Sequence, residues 1–162
     1  MVGKQSTTSK TDYKFTREYL AEDTYAEIKP LLHDHWKEIA VSKDKIKLSP
    51  DIETYYKLQE LDKLFCLICR NKGKMVGYII TMLHEHPHYV DHIFAQNDLF
   101  YLMPQYRKGL LAFKFLKEHE KQIKNLGVSC LLYHIKPDKD FSKILTRTNY
   151  TLFETVYKKD LI

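Results

Sequence analysis

The chain is expected to fold as an α/β domain. Three observations predict that class. A strand–turn–helix unit occupies Leu99–Gly127, two nearly continuous apolar runs occupy Lys63–Arg70 and Met75–Leu83, and stretches of helical periodicity lie on either side of them. At 162 residues one domain is expected, and a chain of that size buries roughly 70% of its unfolded surface. Hydrophobic content of 44% and aromatic content of 13% belong to a folded protein rather than a disordered one. No run of about 18 apolar residues is present to cross a membrane, and the N-terminus lacks an apolar signal region. Three cysteines, an odd number, argue against a disulfide framework, and the expected location is cytoplasmic.

In chain order, residues 1–11 are Ser/Thr/Lys-rich without periodicity and are expected to be a disordered tail, leaving residues 12–162 as the single domain. Tyr13–Arg17 alternates and reads as a first strand. Asp23–Ala40 reads as a helix, with Ile28, Leu31, Leu32, His35, Trp36 and Ile39 near the i, i+3, i+4, i+7 template. Asp23 or Thr24 would cap it, and Pro30 would kink it unless the helix starts later. Ser49-Pro50-Asp51 opens a second helix as cap, Pro at the first helical position and acid, running to about Leu61. Lys63–Arg70 and Met75–Leu83 are strands joined by a hairpin turn at Asn71–Lys74. The His-rich run His84-Glu85-His86-Pro87-His88 is expected to interrupt the second of these, with Val90–Phe94 leading separately toward Leu99–Met103. Val128–Ile135 is a strand, Asp138–Thr148 a short helix and Tyr150–Tyr157 a final strand. The order is β-α-α-β-β-β-α-β-α-β.

The Leu99–Gly127 unit carries the chemistry. Pro104 ends the strand because it has no N–H to give. Gln105-Tyr106-Arg107-Lys108-Gly109 is a basic turn, and the helix that follows stops at Gly127. The first turn of a helix has unpaired N–H groups and partial positive charge. Gly109 lets a ligand approach the backbone, and Arg107 and Lys108 add full charges. Phosphate or pyrophosphate suits such a turn; an ordinary strand-to-helix turn with a basic surface is the alternative. Neither GxxxxGK[ST] nor GxGxxG is present. Between Gln105 and Gly127 six Lys/Arg stand against two Glu, in keeping with an anionic ligand or acidic partner.

The same stretch resembles motif A of the GCN5-related N-acetyltransferases, a strand followed by an Arg/Gln-x-x-Gly-x-Gly/Ala turn and a helix. Arg107 takes the first position and Ala112 the last; Leu110 stands at the middle glycine, with Gly109 one residue earlier. The element order is also that family's, which implies a mixed sheet with helices on both faces from about Tyr13 onward. Small bacteriophage-encoded members look similar in the Gly77-Tyr78 strand, the following His-Tyr pair and the Asp98 strand entry.

The resemblance implies acetyl-CoA as co-substrate and a primary amine of unknown identity as acceptor. The turn Arg107, Lys108, Gly109, Leu110, Leu111 and Ala112 would hold the pyrophosphate. The main chain of Phe100 and Leu102 would pair with the pantetheine arm; a plain core strand is the alternative. The family's usual base position is Gln96, which cannot accept a proton. Asp98, on the same pleat face, is the candidate base or amine anchor, with Glu85 and Glu38 behind it. The family's final-helix pattern aligns with Asp138, Phe141, Ile144, Leu145, Arg147, Asn149 and Tyr150, so that Asp138 joins the cofactor set and Leu145 replaces the tyrosine acid. Tyr133 and Tyr157, on adjacent expected strands, are substitutes. Asn149 suits a left-handed position.

Other patterns are weaker. His84, His86 and His88 alternate, and with Glu85 and His92 would make a metal site, but Pro87 and the expected turn break the geometry. The run is read as an exposed or substrate-facing loop, and no metal is assigned. Cys66 and Cys69 match CxxC, yet on a strand they point to opposite faces. A non-catalytic interaction protein on the same fold is the alternative function, favoured by Leu145 and Gln96. A nucleic-acid module is the third, but the Lys114–Lys124 face lacks interleaved aromatics. A homodimer is compatible with any of these.

Overall fold

The strand over Leu64–Asn71 (β2) is apolar at nearly every position because it is buried on both faces. Phe65, Leu67 and Cys69 point into one core cluster; Leu64, Cys66 and Ile68 point into another. A computed structural model describes residues 12–161 and surrounds β2 with β1 (Tyr13–Arg17), β3 (Lys74–His86), β4 (Tyr89–Leu102) and β5 (Cys130–Leu132). The sheet order is β1-β2-β3-β4-β5, antiparallel except for the parallel β4–β5 pair. Helices α1 (Glu22–Ile39) and α2 (Ile52–Glu60) cover one face, and α3 (Leu111–Asn125) and α4 (Ser142–Thr146) the other. The expected tail, residues 1–11, lies outside the described residues.

The helix ends differ from expectation in instructive ways. Asp23 and Thr24 do not cap α1: the helix begins at Glu22, Ala21 occupies the cap position, and Glu22 and Asp23 instead place acid beside the positive end of the dipole. The helix runs through Pro30, which is exposed, so the acceptor it strands at Ala26 is also on the wet side. In α2 the cap is Asp51, whose carboxylate accepts from the Thr54 N–H at 3.1 Å; Pro50 therefore precedes the cap rather than following it.

The β2–β3 hairpin turns on Lys72-Gly73, both at positive φ. The histidine run does not interrupt β3. The strand continues to His86 and pairs with a single uninterrupted β4, because His84, His86, Tyr89 and Phe94 stack across the two strands. Gly77 sits where a Cβ would lie 2.6 Å from the Tyr101 carbonyl, so this crossing of β3 over β4 requires glycine. The expected helix over Asp138–Thr148 shortens to a 3-10 turn at Pro137–Lys139 and the single-turn α4. The expected strand over Tyr150–Tyr157 is not formed: residues 151–161 are exposed and carry no strand pairing, because β5 offers only three paired residues and no long edge beyond them.

Candidate active site

The site is built where β4 and β5 part. They pair only at Phe94–Gln96 with Cys130–Leu132. Just beyond, β4 carries a bulge: Ile80 faces Leu99 and Thr81 faces Asn97, leaving Asp98 as the extra residue. The bulge changes the phase of the strand, so that Ala95 packs in the α3/α4 core whereas Leu99 packs on the α1/α2 side. Asp98 also reaches the α1/α2 side, where its Oδ2 accepts the Tyr55 hydroxyl of α2. Burial and this bond together push the Tyr55 phenol up. Across the opening, the Asn97 side chain takes over from the lost pairing, its Oδ1 accepting the His134 N–H.

From Asp98 to its end, β4 presents one main-chain edge to the space that β5 has left. The Met103 N–H donates back to Val76 on β3. By alternation, Leu102 and Phe100 then direct their main-chain groups the other way. The Leu102 carbonyl is occupied there by Arg107 Nε at 2.6 Å. After the 3-10 turn Pro104–Tyr106, Gly109 adopts φ +80, a left-handed conformation that carries the chain into α3. Among the described residues the N–H groups of Lys108, Gly109, Leu110, Leu111, Ala112 and Phe113 have no hydrogen-bond partner, the first intrahelical bond being Lys114 to Leu110. Consecutive free donors at a helix start form an anion cradle. Lys108 and Leu110 are exposed beside it, and Leu111 anchors the helix in the core.

Arg107 does not point into that cradle. Its guanidinium pairs with both Glu38 oxygens at 2.6 Å and lies 5.4 Å over the Tyr101 ring. Glu38, held below its ordinary range by this hydrogen-bonded pair, is a structural partner of the turn rather than a free base. Lys136, beyond β5, donates to the Ile39 carbonyl at 3.0 Å. The last turn of α1 thus touches both limbs of the opening.

On the α3/α4 side an aromatic layer of Phe100, Phe115, Phe141, Tyr133 and Tyr150 underlies the divergence. His119, fully buried on α3, joins Tyr133 Oη at 2.5 Å through Nδ1 and Thr81 Oγ1 at 2.8 Å through Nε2. Burial pushes the His119 imidazole down to about 3 and the Tyr133 phenol up. His119 was missed by sequence reasoning as a chemical group: its helical spacing placed it on the apolar face, and nothing local signals a partner 38 residues away on β3.

Asp98, Phe100, Leu102 and the 107–112 turn are therefore brought together, with Tyr133 at the head of the divergence. Glu85 is not: it is exposed and paired with Ile93, four residues further along β3 than the bulge at Thr81, about 13 Å by strand rise. Tyr157 does not lie on a strand beside Tyr133; it is 92% exposed. Asp138 sits on the exposed 3-10 turn. Leu145 is buried in the α3/α4 core and Asn149 has φ +67, as a left-handed position requires. Gln96 Nε2 lies 3.4 Å from His134 Nδ1. Among the described residues no group of three or more His, Cys, Asp or Glu is placed to hold a metal. Cys66 and Cys69 face opposite cores, and burial pushes both thiols up to about 12.

A sheet that opens between parallel β4 and β5, with a bulge at the opening and a bare helix start at its end, can be compared with known structures. A GCN5-related N-acetyltransferase from Ralstonia eutropha JMP134 superposes with a TM-score of 0.73 at 12% identity, over 92% of this chain and 99% of that one. The chain has the acetyltransferase fold. A ribosomal-protein-alanine N-acetyltransferase from Brucella melitensis biovar Abortus 2308 gives 0.67 at 16% identity, over 93% and 99% of the two chains. A predicted acetyltransferase from Clostridium acetobutylicum, solved with acetyl-CoA, gives 0.67 at 11%, over 93% and 97%. No family model matches the sequence, and no curated protein is similar to it in sequence. Among the described residues, no helix is long and apolar enough to cross a membrane.

Proposed function

We propose that the protein is an acetyl-CoA-dependent N-acetyltransferase acting on a primary amine. The observation that carries this reading is the run of unpartnered N–H groups at the start of α3, in line with the edge of β4 that β5 leaves, where the Leu102 carbonyl is held by Arg107. In this reading the pyrophosphate of acetyl-CoA sits on the N–H groups from Lys108 to Ala112, with the Lys108 charge and the helix dipole adding to the field. Arg107 braces the turn through Leu102 and Glu38 instead of contacting phosphate. The pantetheine arm follows β4 past Leu102 and Phe100, which delivers the thioester to the Asp98 bulge.

At the bulge Asp98 anchors the acceptor ammonium and takes one proton from it. The amine nitrogen attacks the thioester carbonyl, forming the N–C bond. The C–S bond then breaks, and the second amine proton goes to the departing thiolate, giving amide and free thiol. A thiol with an ordinary pKa of about 8.5 leaves without a dedicated acid, so Leu145 in place of tyrosine does not block the reaction. Holding amine and thioester together supplies roughly 7–11 kcal/mol of the barrier. Tyr133 is the second candidate for the thiolate's proton donor; its hydroxyl is already bound to His119. A cytoplasmic setting suits Cys66, Cys69 and Cys130 as free thiols.

Calorimetry with CoA and thiol release from acetyl-CoA across an amine panel test the reading. Gly109→Asp places a carboxylate at a left-handed position facing the cradle and is expected to weaken CoA binding at least tenfold, about 1.4 kcal/mol. Unchanged affinity in a folded variant overturns the cradle. Asp98→Asn is expected to lower turnover about 100-fold while CoA affinity holds. Tight CoA binding with no release by any amine favours the alternative, a CoA-binding interaction protein, for which Leu145 and Gln96 speak.

A further inference from the structure

Between α1, the 40–51 segment, α2 and the sheet lies a cavity of about 300 Å³. That is near the lower end of small-molecule pockets, roughly 300–1,000 Å³. Its walls are apolar and aromatic, with Tyr25, Trp36, Leu48, Ile52, Tyr55 and Leu99 prominent among them. No Asp or Glu contributes to the lining, and Lys47 is its single charged residue. One end reaches the β4 bulge: Leu99 follows Asp98, and Tyr55 donates its hydroxyl to the Asp98 carboxylate. Asp98 is not itself part of the lining; the chamber ends at the Tyr55 phenol and Leu99, with the Asp98 carboxylate directly behind them.

We infer that this cavity receives the acceptor, and that the acceptor is a small monoamine: one primary amine on a compact aromatic or aliphatic body. The inference rests on the acetyl-transfer reading for the fate of the amine, but not for its binding. The body displaces water from the apolar walls, worth roughly 25 cal/mol per Å² of apolar surface buried. The ammonium meets Asp98, beside the phenol of Tyr55. A polyamine or aminoglycoside would bring further ammonium groups into walls that offer no acid and already hold Lys47, where an unpaired charge is costly. The class is therefore selected by what the lining lacks as much as by what it contains.

Trp36 is the chain's single tryptophan and lines the cavity, so its fluorescence reports occupancy without any turnover. Phenethylamine, phenethyl alcohol and spermidine are titrated against the full chain, with and without CoA. A saturable Trp36 response to phenethylamine, at least tenfold tighter than to spermidine, is expected. Phenethylamine should also bind tighter than its alcohol analogue, and Asp98→Asn should erase that preference. Ile52→Phe, which fills the chamber from α2, should weaken phenethylamine at least tenfold. The comparison among the three ligands needs no variant and stands if Ile52→Phe fails to fold. No Trp36 response to phenethylamine, or a preference for spermidine or a lysine peptide in binding or in thiol release, overturns the inference. If CoA itself does not bind, the acetyl-transfer reading fails, while the Trp36 titration still decides whether the cavity takes an apolar monoamine.

Discussion

Arg107 shows how a residue read for one purpose serves another. Sequence places it first in a phosphate-binding turn; in the structure its guanidinium is divided among the Leu102 carbonyl, Glu38 and the Tyr101 ring. Arg107→Lys keeps the charge but loses the fork that meets both Glu38 oxygens. The arginine side chain is 38% exposed, so solvent screening limits the ion pair to about 1 kcal/mol or less. A melting-temperature drop of about 2–4 °C with nearly unchanged CoA affinity is expected. A large loss of CoA affinity at unchanged stability would show that the guanidinium turns to the phosphate after all. Gly109 and Asp98 are legible as candidates in the sequence because a glycine in a basic turn and a carboxylate in an apolar strand stand out locally. The Arg107–Glu38 pair and the Thr81–His119–Tyr133 chain are not. Each joins residues far apart in sequence, and only the packed sheet brings them within reach.

At the scale of elements, legibility followed burial. Tyr13–Arg17 was readable because its alternation matches its half-buried face, and β2 and β3 because their continuous apolar runs match burial on both faces. The bulge at Asp98 was not readable, because an alternating pattern gives no sign of one extra residue. The last strand was over-read: Leu152, Phe153, Val156 and Tyr157 have strand composition, but all are 65–92% exposed with no neighbour to pair with. Composition specifies a strand only where an edge receives it. Ser42 Oγ donating to Asp160 and Lys158 donating to Ser42 are exposed contacts and add little. Ending the chain at Thr151 is therefore expected to shift the melting temperature by no more than about 2–4 °C and to leave CoA binding intact. A larger loss would show that the segment docks as the strand its sequence describes.

For the whole molecule, the two faces of the sheet share one vulnerability. On the α1/α2 side His35 is 4% exposed, its Nδ1 lies 3.1 Å from the Tyr78 hydroxyl, and it stacks on Tyr101. On the α3/α4 side His119 is sealed between Thr81 and Tyr133. Burial is the main cause of both shifts, holding His35 down to about 4 and His119 to about 3, from an ordinary 6.5. Glu38 near His35 works against that shift, and Arg107 and Lys136 work with it. As pH falls through 6.5 the unfolded chain takes up a proton on each imidazole and the native protein does not. The stability is therefore full above 6.5 and is lost as pH falls toward the two native values. Between pH 6.5 and 5 the loss is bounded by about 2 kcal/mol per histidine, a large share of a stability of roughly 5–15 kcal/mol. The Glu18, Glu27 and Glu38 carboxylates, held below 4.5 by Arg70 and Arg107, contribute only at lower pH. The melting temperature is expected to decline from about pH 6.5 downward, well before carboxylate protonation. His35→Gln, which keeps a polar partner near Tyr78 but cannot titrate, should roughly halve that decline. A flat melting temperature from pH 7.5 to 5 would mean that neither imidazole is held neutral inside. Turnover should rise in the opposite direction, as the acceptor amine loses its proton with increasing pH, so a falling rate between pH 6.5 and 5 must be separated from unfolding by measuring both on the same samples.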